Sequence, residues 1–208
     1  MHPRDATTRE PTSPQQSAAE PAAAGPAATS GRTPRVLVVV ASKHGATAEI
    51  AEALARSMVS CPAGRAAGLS ALAVPVEQWP DPSPFDAVVL GSAVYVGRWL
   101  EPAREYAAVH AGVLRTRPVW LFSSGPIGQP PFPPDEPHDA APMAAVTAAL
   151  GHRVFPGRLD KARLTFGERA MVTAMRAPLG DFRNWNEVAS WAAEIAAVVS
   201  VPAQTGRT

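Results

Sequence analysis

The feature that most limits how this chain can fold is a run of five consecutive aliphatic residues at 36–40. Four of the five are β-branched, and a continuous apolar run of this length is typical of a strand buried on both faces. A polar loop follows, and then residues 46–58 carry apolar side chains at Ile50, Leu54 and Met58, on one face of a helix. A buried strand that leads through a short loop into an amphipathic helix indicates a layered α/β domain.

The same alternation continues along the chain. Further strands are predicted at 68–76, 85–91, 119–123 and 152–155, and helices at 100–114, 143–150, 165–175 and 185–199. The last helix follows Asn184 and has Glu187 three residues later, a variant of the capping box. We expect Trp185 and Trp191 to pack this helix against the sheet. Strands that alternate with helices indicate a parallel sheet with helices on both faces.

The ends of the chain differ in composition from its centre. Residues 1–34 contain six prolines and eight alanines but no Val, Leu, Ile, Phe, Trp or Tyr, and so little apolar surface cannot offset the entropy lost on ordering. We therefore predict a disordered tail over 1–34, one domain over 35–200 and a second disordered tail over 201–208. The single cysteine, Cys61, is expected to be structural and fits a reducing cytoplasm.

The charge pattern excludes several classes of function. The formal net charge is +1, and over residues 35–200 fifteen basic side chains balance fifteen acidic ones, so no field favours nucleic acid. No apolar run reaches about 18 residues, the length that spans a bilayer; peripheral contact with the inner face of a membrane stays open, as does the oligomeric state. The histidines lack metal-ligand spacing, and no Gly-x-Ser-x-Gly motif is present. We predict neither a metal site nor a catalytic acid or base.

The loop Ser42-Lys43-His44-Gly45-Ala46-Thr47, between the first strand and the first helix, is the strongest candidate site. In a doubly wound sheet, ligands bind beyond the carboxyl ends of the strands. A helix N-terminus at that edge offers unpaired N–H groups and a partial positive charge to a phosphate. Gly45 allows close approach of the backbone, and the hydroxyls of Ser42 and Thr47 can donate hydrogen bonds. Lys43 adds positive charge if it turns inward.

Competing interpretations of this loop are limited. The Walker motif and the dinucleotide motif Gly-x-Gly-x-x-Gly are both absent from it, so a terminal monophosphate is the expected ligand. The alternative is that Ser42 and Thr47 only cap the helix. His44 either bonds the phosphate or lies in solvent, and the sequence does not separate these two interpretations.

The loop resembles the phosphate loop of the flavodoxin family, Ser/Thr-x-Thr-Gly-x-Thr. Residues 42–47 match it at the first, fourth and sixth places, with His44 in the place of the middle threonine. The resemblance covers about 35–199 and is greatest to flavodoxin-like proteins of the menaquinone-dependent protoporphyrinogen IX dehydrogenase type. It implies a flavodoxin-like, doubly wound, five-stranded parallel sheet in the order 2-1-3-4-5, with FMN bound at its edge.

The same resemblance implies that two further loops hold the isoalloxazine ring of FMN. They follow the third strand, up to Trp99, and the fourth strand. Tyr95 or Trp99 is expected to stack on the ring, where an aromatic pair adds about 0.5–1.5 kcal/mol beyond burial; the alternative for Trp99 is inward packing. The predicted ring-binding residues are Ser92, Ala93, Val94, Tyr95, Val96, Gly97, Trp99, Ser123, Ser124, Gly125 and Gly128.

Residues around these loops carry less specific signals. Arg98 either pairs with an anionic substrate or reduced flavin, or it is solvated. Residues 125–142 hold seven prolines, and a loop of this length near the flavin edge could cover the ring and shape a substrate pocket. Its acidic and histidine side chains are expected to be solvated, namely those of Asp135, Glu136, His138 and Asp139.

The resemblance implies an FMN-dependent oxidoreductase that passes electrons between a small molecule, such as protoporphyrinogen, and a quinone or another acceptor. The flavin itself carries the redox chemistry, and the protein supplies position and electrostatics. Two alternatives are an electron-transfer flavodoxin without its own substrate and a degenerate domain that uses the fold for interaction. The balanced charge weakens the carrier hypothesis, because flavodoxin carriers are usually strongly acidic.

Overall fold

The computed structural model describes residues 32–125, 127 and 137–201. The strands are β1 (Arg35–Ala41), β2 (Ser70–Pro75), β3 (Ala87–Tyr95), β4 (Arg98–Trp99), β5 (Val119–Ser124), β6 (Gly151–Phe155), β7 (Arg158–Leu159) and β8 (Gly180–Asp181). The α-helices are α1 (Ala46–Ser60), α2 (Pro62–Ala67), α3 (Glu101–Val109), α4 (Ala111–Leu114), α5 (Ala140–Thr147), α6 (Phe166–Ala174) and α7 (Trp185–Val199). Short 3-10 helices cover Val76–Gln78 and Lys161–Arg163.

Five parallel strands form the central sheet in the order β2-β1-β3-β5-β6. β4 is a short arm that pairs antiparallel with β3, so β5 and β6 are the fourth and fifth strands of the parallel sheet. The strand order is then the predicted 2-1-3-4-5, and the predicted doubly wound α/β fold is confirmed. β1 lies between β2 and β3, with Val38 opposite Ala73 and Val89. The carboxyl ends of β1, β3 and β5 therefore meet at one edge of the sheet, where ligands of such folds bind.

The aliphatic run in β1 is buried on both faces, as predicted. Val36, Val38 and Val40 belong to an apolar cluster that includes residues of α1 and α7. Leu37 and Val39 belong to a second cluster, with residues of α3 and α5. Full burial of one such side chain contributes about 1.5–3 kcal/mol, so this strand stabilises both helical layers and holds the loop at its end in place.

Several element boundaries differ from the prediction, among them α5 at Ala140–Thr147 instead of 143–150, and two of the differences have identifiable reasons. β3 continues to Tyr95, four residues beyond its predicted end at 91, because it forms a hairpin with β4. The turn of this hairpin consists of Val96 and Gly97, both with positive φ. The predicted helix 100–114 is divided into α3 and α4 at His110. The hairpin therefore carries residues that the sequence placed in an irregular loop.

The structure tests the roles predicted for Cys61, Trp185 and Trp191. Cys61 has a structural contact, because its sulfur accepts a hydrogen bond from the backbone N–H of Gly64 at the start of α2. Trp191 is 5% exposed and packs in the core. Trp185 is 43% exposed, and the Arg183 guanidinium lies over its ring. The packing prediction is therefore wrong for Trp185.

The predicted tails fall mostly outside the described residues. Residues 32–34, which the prediction assigned to the first tail, contact the domain. Arg32 pairs with Asp86, and the carbonyl of Pro34 accepts a hydrogen bond from the backbone N–H of Ser70, 2.9 Å away. Among the residues that the structure describes, no helix combines the length and the hydropathy needed to cross a membrane.

Candidate functional site

The loop between β1 and α1 forms one wall of a cleft at the carboxyl edge of the sheet. The helix begins after Gly45, whose φ of 84° lies in the left-handed region that glycine adopts without steric cost. Gly45 is the N-cap residue, and no side chain caps the helix. Thr47 already lies inside the first turn and is 3% exposed. The first turn of α1 therefore lines the cleft, and no side chain caps its N–H groups.

The hydroxyl of Ser42 is a buried group that could bind a phosphate. Its Oγ is buried and has no hydrogen-bond partner among the described residues, so Ser42 does not cap α1. Leaving a buried hydroxyl unpaired costs roughly 1–3 kcal/mol. An acceptor oxygen placed at the helix N-terminus would remove that cost, and a phosphate supplies such an oxygen.

Lys43 and His44 both contact Glu168 of α6. Lys43 Nζ lies 2.7 Å and His44 Nε2 lies 3.1 Å from Glu168 Oε1. The other carboxylate oxygen accepts a hydrogen bond from the backbone N–H of Thr165 and completes the capping box of α6. The hydrogen bond from Lys43 and that from Thr165 hold the pKa of Glu168 far below its usual value. His44 lines the cleft, and it has an intramolecular partner that neither interpretation included.

The hairpin of β3 and β4 forms the next part of the cleft. Ala93, Val94 and Tyr95 line it. The turn residues lie at the tip of the hairpin: Val96 is 87% exposed, with φ 50°, and Gly97 has φ 74°. The structure therefore brings three of the predicted ring-binding side chains to the cleft and leaves Val96 outside it.

Tyr95 is the aromatic side chain of this cleft wall. Its ring centroid lies 5.2 Å from Lys43 Nζ and 6.2 Å from the centroid of the His44 ring. Burial and, to a lesser extent, the charge of Glu168 raise the pKa of Tyr95 to about 12. The phenol is therefore protonated at neutral pH and offers an uncharged aromatic surface to the cleft.

Three other predicted ring-binding residues lie in the core and not in the cleft. Trp99 is 2% exposed, and its Nε1 donates a hydrogen bond to Ser123 Oγ, 2.7 Å away. The same Ser123 Oγ lies 2.8 Å from His152 Nε2. Ser92 is fully buried, and its Oγ accepts a hydrogen bond from the backbone N–H of Leu100. For Trp99, inward packing is the arrangement that the structure shows.

The loop after β5 contributes Ser124 and Gly125 to the cleft. A Cβ at position 125 would lie 2.8 Å from Val94 Cβ, so a glycine is needed for the two neighbouring loops to approach each other. Gly128, the last predicted ring-binding residue, lies outside the described residues. The two loops thus meet the phosphate loop at the same edge.

Asp139 corrects the prediction that the acidic side chains of the proline-rich segment are solvated. It is 5% exposed, and its carboxylate accepts hydrogen bonds from the Arg98 guanidinium (3.0 Å) and the Trp99 backbone N–H (2.8 Å). Arg98 therefore has an intramolecular partner and is not simply solvated. His138 is exposed, as expected, whereas residues 135 and 136 lie outside the described residues.

The remaining wall of the cleft comes from residues 157–177, between β6 and α7, which we call the flap. No predicted site residue lies in it. Leu159, Leu164 and Val172 give this wall apolar surface. The helix α6 in this wall packs loosely against the rest of the protein, because none of its residues is buried.

Two arginines of the flap reach the loop 42–47 and α1. Arg163 donates a hydrogen bond to the carbonyl of His44, 3.0 Å away, and Arg158 makes two hydrogen bonds to the carboxylate of Glu49. Their partners lie 119 and 109 residues away in the chain, and no local pattern marks such contacts. The local signal present in the flap, the spacing of Thr165 and Glu168, marks only a helix start.

The comparison with protein families agrees with this geometry. A family model described as the flavodoxin domain matches residues 37–184, which is most of the chain. The protein belongs to the flavodoxin domain family. A search of the curated proteins finds no match to this sequence.

Solved structures of flavodoxins are similar in fold. A flavodoxin from the domain Archaea matches with a TM-score of 0.55 at 12% identity, over 80% of this chain and 99% of its own. Flavodoxin 1 from Bacillus cereus matches with a TM-score of 0.51 at 13% identity, over 77% of this chain and 95% of its own. An oxidoreductase from Corynebacterium diphtheriae matches with a TM-score of 0.51 at 13% identity, over 81% of this chain and 97% of its own. Identities this low establish the shared fold alone.

Proposed function

We propose that this flavodoxin-domain protein binds FMN in the cleft and acts as an FMN-dependent oxidoreductase. The observation that carries the proposal is the buried, unpaired hydroxyl of Ser42 beside the uncapped N-terminus of α1. Both present donors without acceptors, and a terminal phosphate accepts from both. Membership of the flavodoxin family supports a flavin as the molecule that carries this phosphate.

The residues assigned to FMN are a subset of those that the sequence predicted. The phosphate would be held by Ser42, Lys43, His44, Gly45, Ala46 and Thr47, and the ring by Ala93, Val94, Tyr95, Ser124 and Gly125. Bound FMN would supply hydride and single-electron transfer. The chain itself would orient the flavin and exclude water with the apolar side chains of the flap.

Flavin binding by two hydroxyl variants tests the phosphate assignment. Loss of a hydrogen bond to a charged group costs about 1.5–3 kcal/mol, so Ser42→Ala and Thr47→Ala should each weaken FMN binding by roughly ten- to a hundredfold. Ser60→Ala and Thr116→Ala serve as matched controls, because both hydroxyls are exposed and bond only nearby carbonyls. Affinity would be measured by the quenching of FMN fluorescence. Unchanged affinity in both hydroxyl variants would remove the phosphate assignment.

A small apolar electron donor or acceptor is the substrate class that we propose, with a quinone as acceptor and protoporphyrinogen IX as the donor to be tested. The apolar wall formed by Leu159, Leu164 and Val172 supports this class. The balance of charge over residues 35–200 also supports it, because a carrier that docks on charged partners gains from a strong net charge. A membrane that dissolves such a quinone would be the site of peripheral contact.

Anaerobic spectroscopy separates the candidate activities. Protoporphyrinogen IX should bleach the flavin absorbance of the purified protein and yield porphyrin fluorescence, and a menaquinone analogue should restore the absorbance. Restoration by quinone after photoreduction, without reaction with protoporphyrinogen, would indicate a quinone reductase. Reaction with neither would indicate an electron carrier. A colourless protein that takes up no added FMN would indicate a degenerate domain.

A further inference from the structure

The two loop residues that depart from the flavodoxin pattern, Lys43 and His44, are both bound to one carboxylate of the flap. Glu168 contacts them at 2.7 Å and 3.1 Å. Glu168 is an anion, and its carboxylate contacts the ammonium group of Lys43 and the ring of His44 in the loop that the proposed function assigns to the FMN phosphate. An internal anion in this position competes with an external one.

The other cations around the loop also have acidic partners. Arg158 pairs with Glu49 at 2.8 Å, and Arg163 lies 3.8 Å from Asp160. With Lys43 paired to Glu168, each of these flap and loop cations is matched by a carboxylate. A phosphate with two negative charges that enters the cleft therefore gains little net attraction from side chains while Glu168 stays in place.

The flap is held in place mainly by polar contacts. Leu164 is buried, but no residue of α6 is, and Phe166 at its start is 90% exposed. The cleft beneath the flap measures about 190 Å³, below the roughly 300–1,000 Å³ typical of sites that enclose a small ligand. Without the contacts of Glu168, α6 has no buried residue to hold it in place, although Arg158 and Arg163 still connect the preceding part of the flap to α1 and to the loop.

We propose that Glu168 is a positioning residue that occupies Lys43 and His44 as an internal counter-ion, and that a phosphate bound at the loop replaces it and lets α6 move outward. This inference rests on the proposed FMN site. It makes Glu168 a determinant of how strongly the site discriminates a phosphorylated flavin from a neutral one. Glu168 acts through Lys43 and His44 and does not itself touch the ligand.

Glu168→Gln is the matched variant for the test, because glutamine keeps the capping box of α6 and removes only the charge. Glu52→Gln is the control, since it removes an exposed ion pair with Arg56 in α1. We expect Glu168→Gln to tighten FMN binding by about three- to tenfold at low ionic strength, with less gain at high salt. Riboflavin, which lacks the phosphate, should bind wild type and variant equally. The control should change neither affinity.

Three outcomes of the binding experiment would overturn the inference while the FMN site stands. These are weaker FMN binding by Glu168→Gln, unchanged FMN binding, and an equal gain for riboflavin. Weaker binding would mean that Glu168 organises the site instead of competing for it. If neither the wild type nor the variants bind FMN, the proposed function fails. A second measurement then tests the role of Glu168 on its own.

Hydrogen exchange of the backbone amides provides that second measurement, with inorganic phosphate as the probe. In the wild type, phosphate should speed exchange in α6 relative to chloride at matched ionic strength, and exchange in α7 should not change. In Glu168→Gln, α6 should exchange faster from the start and respond little to phosphate. Slower exchange in α6 on addition of phosphate, or no difference from chloride, would overturn the inference whether or not FMN binds.

Discussion

The carboxylate of Asp139 accepts a hydrogen bond from the backbone N–H of Trp99 across 2.8 Å. This contact fixes the hairpin that carries Tyr95 to the last part of the proline-rich segment 125–142. The same carboxylate binds Arg98 at 3.0 Å, and the backbone N–H of His138 donates to the carbonyl of Gly97. One wall of the cleft is therefore held by residues about 40 positions later in the chain.

Asp139→Asn should destabilise the protein at neutral pH. The variant weakens two charge-assisted hydrogen bonds to a buried acceptor, each worth about 1.5–3 kcal/mol, and we expect a net loss of about 2 kcal/mol. Urea unfolding followed by circular dichroism measures it. Asp160→Asn is the control, because Asp160 is exposed and asparagine caps the following turn equally well. Equal losses in the two variants would show that the contact with Trp99 contributes nothing.

The stabilisation by Asp139 should also depend on pH. Burial raises the pKa of this carboxyl, but the hydrogen bonds from Arg98 and Trp99 outweigh burial and lower it below the usual value. A lowered pKa in the folded state gives stability that is present above the usual pKa of an aspartate, about 3.9, and is lost as the pH falls below it. The difference in unfolding free energy between wild type and Asp139→Asn should therefore shrink from pH 5 to pH 3. A constant difference would contradict this account.

Val96 occupies a backbone conformation that suits it poorly. Its φ is 50° and that of Gly97 is 74°, the pattern of a type I′ turn, which favours Asn-Gly. A β-branched residue in the left-handed region costs roughly 1–2 kcal/mol, so Val96→Asn should raise the unfolding free energy by about 1 kcal/mol. Val109→Asn, at an exposed position at the end of α3, should change it little. Thermal unfolding of the two variants is the measurement, and a loss of stability in Val96→Asn would rule out the strain.

Gly91 is required by the ring of Phe122 in the neighbouring strand. A Cβ at position 91 would lie 2.0 Å from two carbon atoms of that ring, and overpacking of this kind costs about 1–3 kcal/mol. Gly91→Ala should therefore lose about 2 kcal/mol in urea unfolding, and the added change Phe122→Leu should recover part of it. Gly112→Ala is the control, with no atom within 4 Å of its Cβ; it should be neutral or stabilising.

Local patterns predicted the parallel sheet and the position of the loop 42–47 at its edge, whereas the strand order was predicted from the resemblance to flavodoxins. The apolar run of β1 and the helical spacing of apolar residues in α1 are patterns among residues that are close in sequence. Such patterns can be recognised from the sequence alone. The hairpin was missed because Val96 carries no turn signal, although the turn needs a positive φ at that position. Trp99 was open between two roles, because its partner Ser123 is 24 residues away.

Contacts between distant charges could not be predicted. The sequence identified Asp139 and Lys43 as polar residues, but the partner of Lys43 lies in the flap and that of Asp139 in the hairpin. Nothing in the sequence near Glu168 indicates a contact with the loop 42–47. The spacing of Thr165 and Glu168 is fully explained by the capping box of α6. The loop 42–47 could be singled out as a candidate because its possible donors are adjacent in sequence, whereas the opposite wall of the cleft depends on the tertiary fold.

Arg183 connects the start of α1 to Asp181 of β8. Its side chain is 3% exposed, and it donates to Glu49 at 2.7 Å, to both carboxylate oxygens of Asp181 and to the carbonyl of Ala46. A lysine cannot reproduce this planar set of bonds. Arg183→Lys should therefore lower the unfolding free energy by about 2 kcal/mol, the value of one or two charge-assisted hydrogen bonds.

The matched control for Arg183→Lys is Arg153→Lys. Arg153 forms an exposed ion pair of 3.3 Å with Glu194 and also lies over the ring of Trp191, and surface ion pairs contribute about 0–1 kcal/mol. Urea unfolding at 0.1 M and 1 M NaCl distinguishes the two sites. The loss in Arg183→Lys should persist at high salt because the guanidinium is buried, whereas any small loss in Arg153→Lys should disappear. Similar losses and similar salt dependence in both variants would mean that the contacts of Arg183 with α1 contribute no more than a surface ion pair.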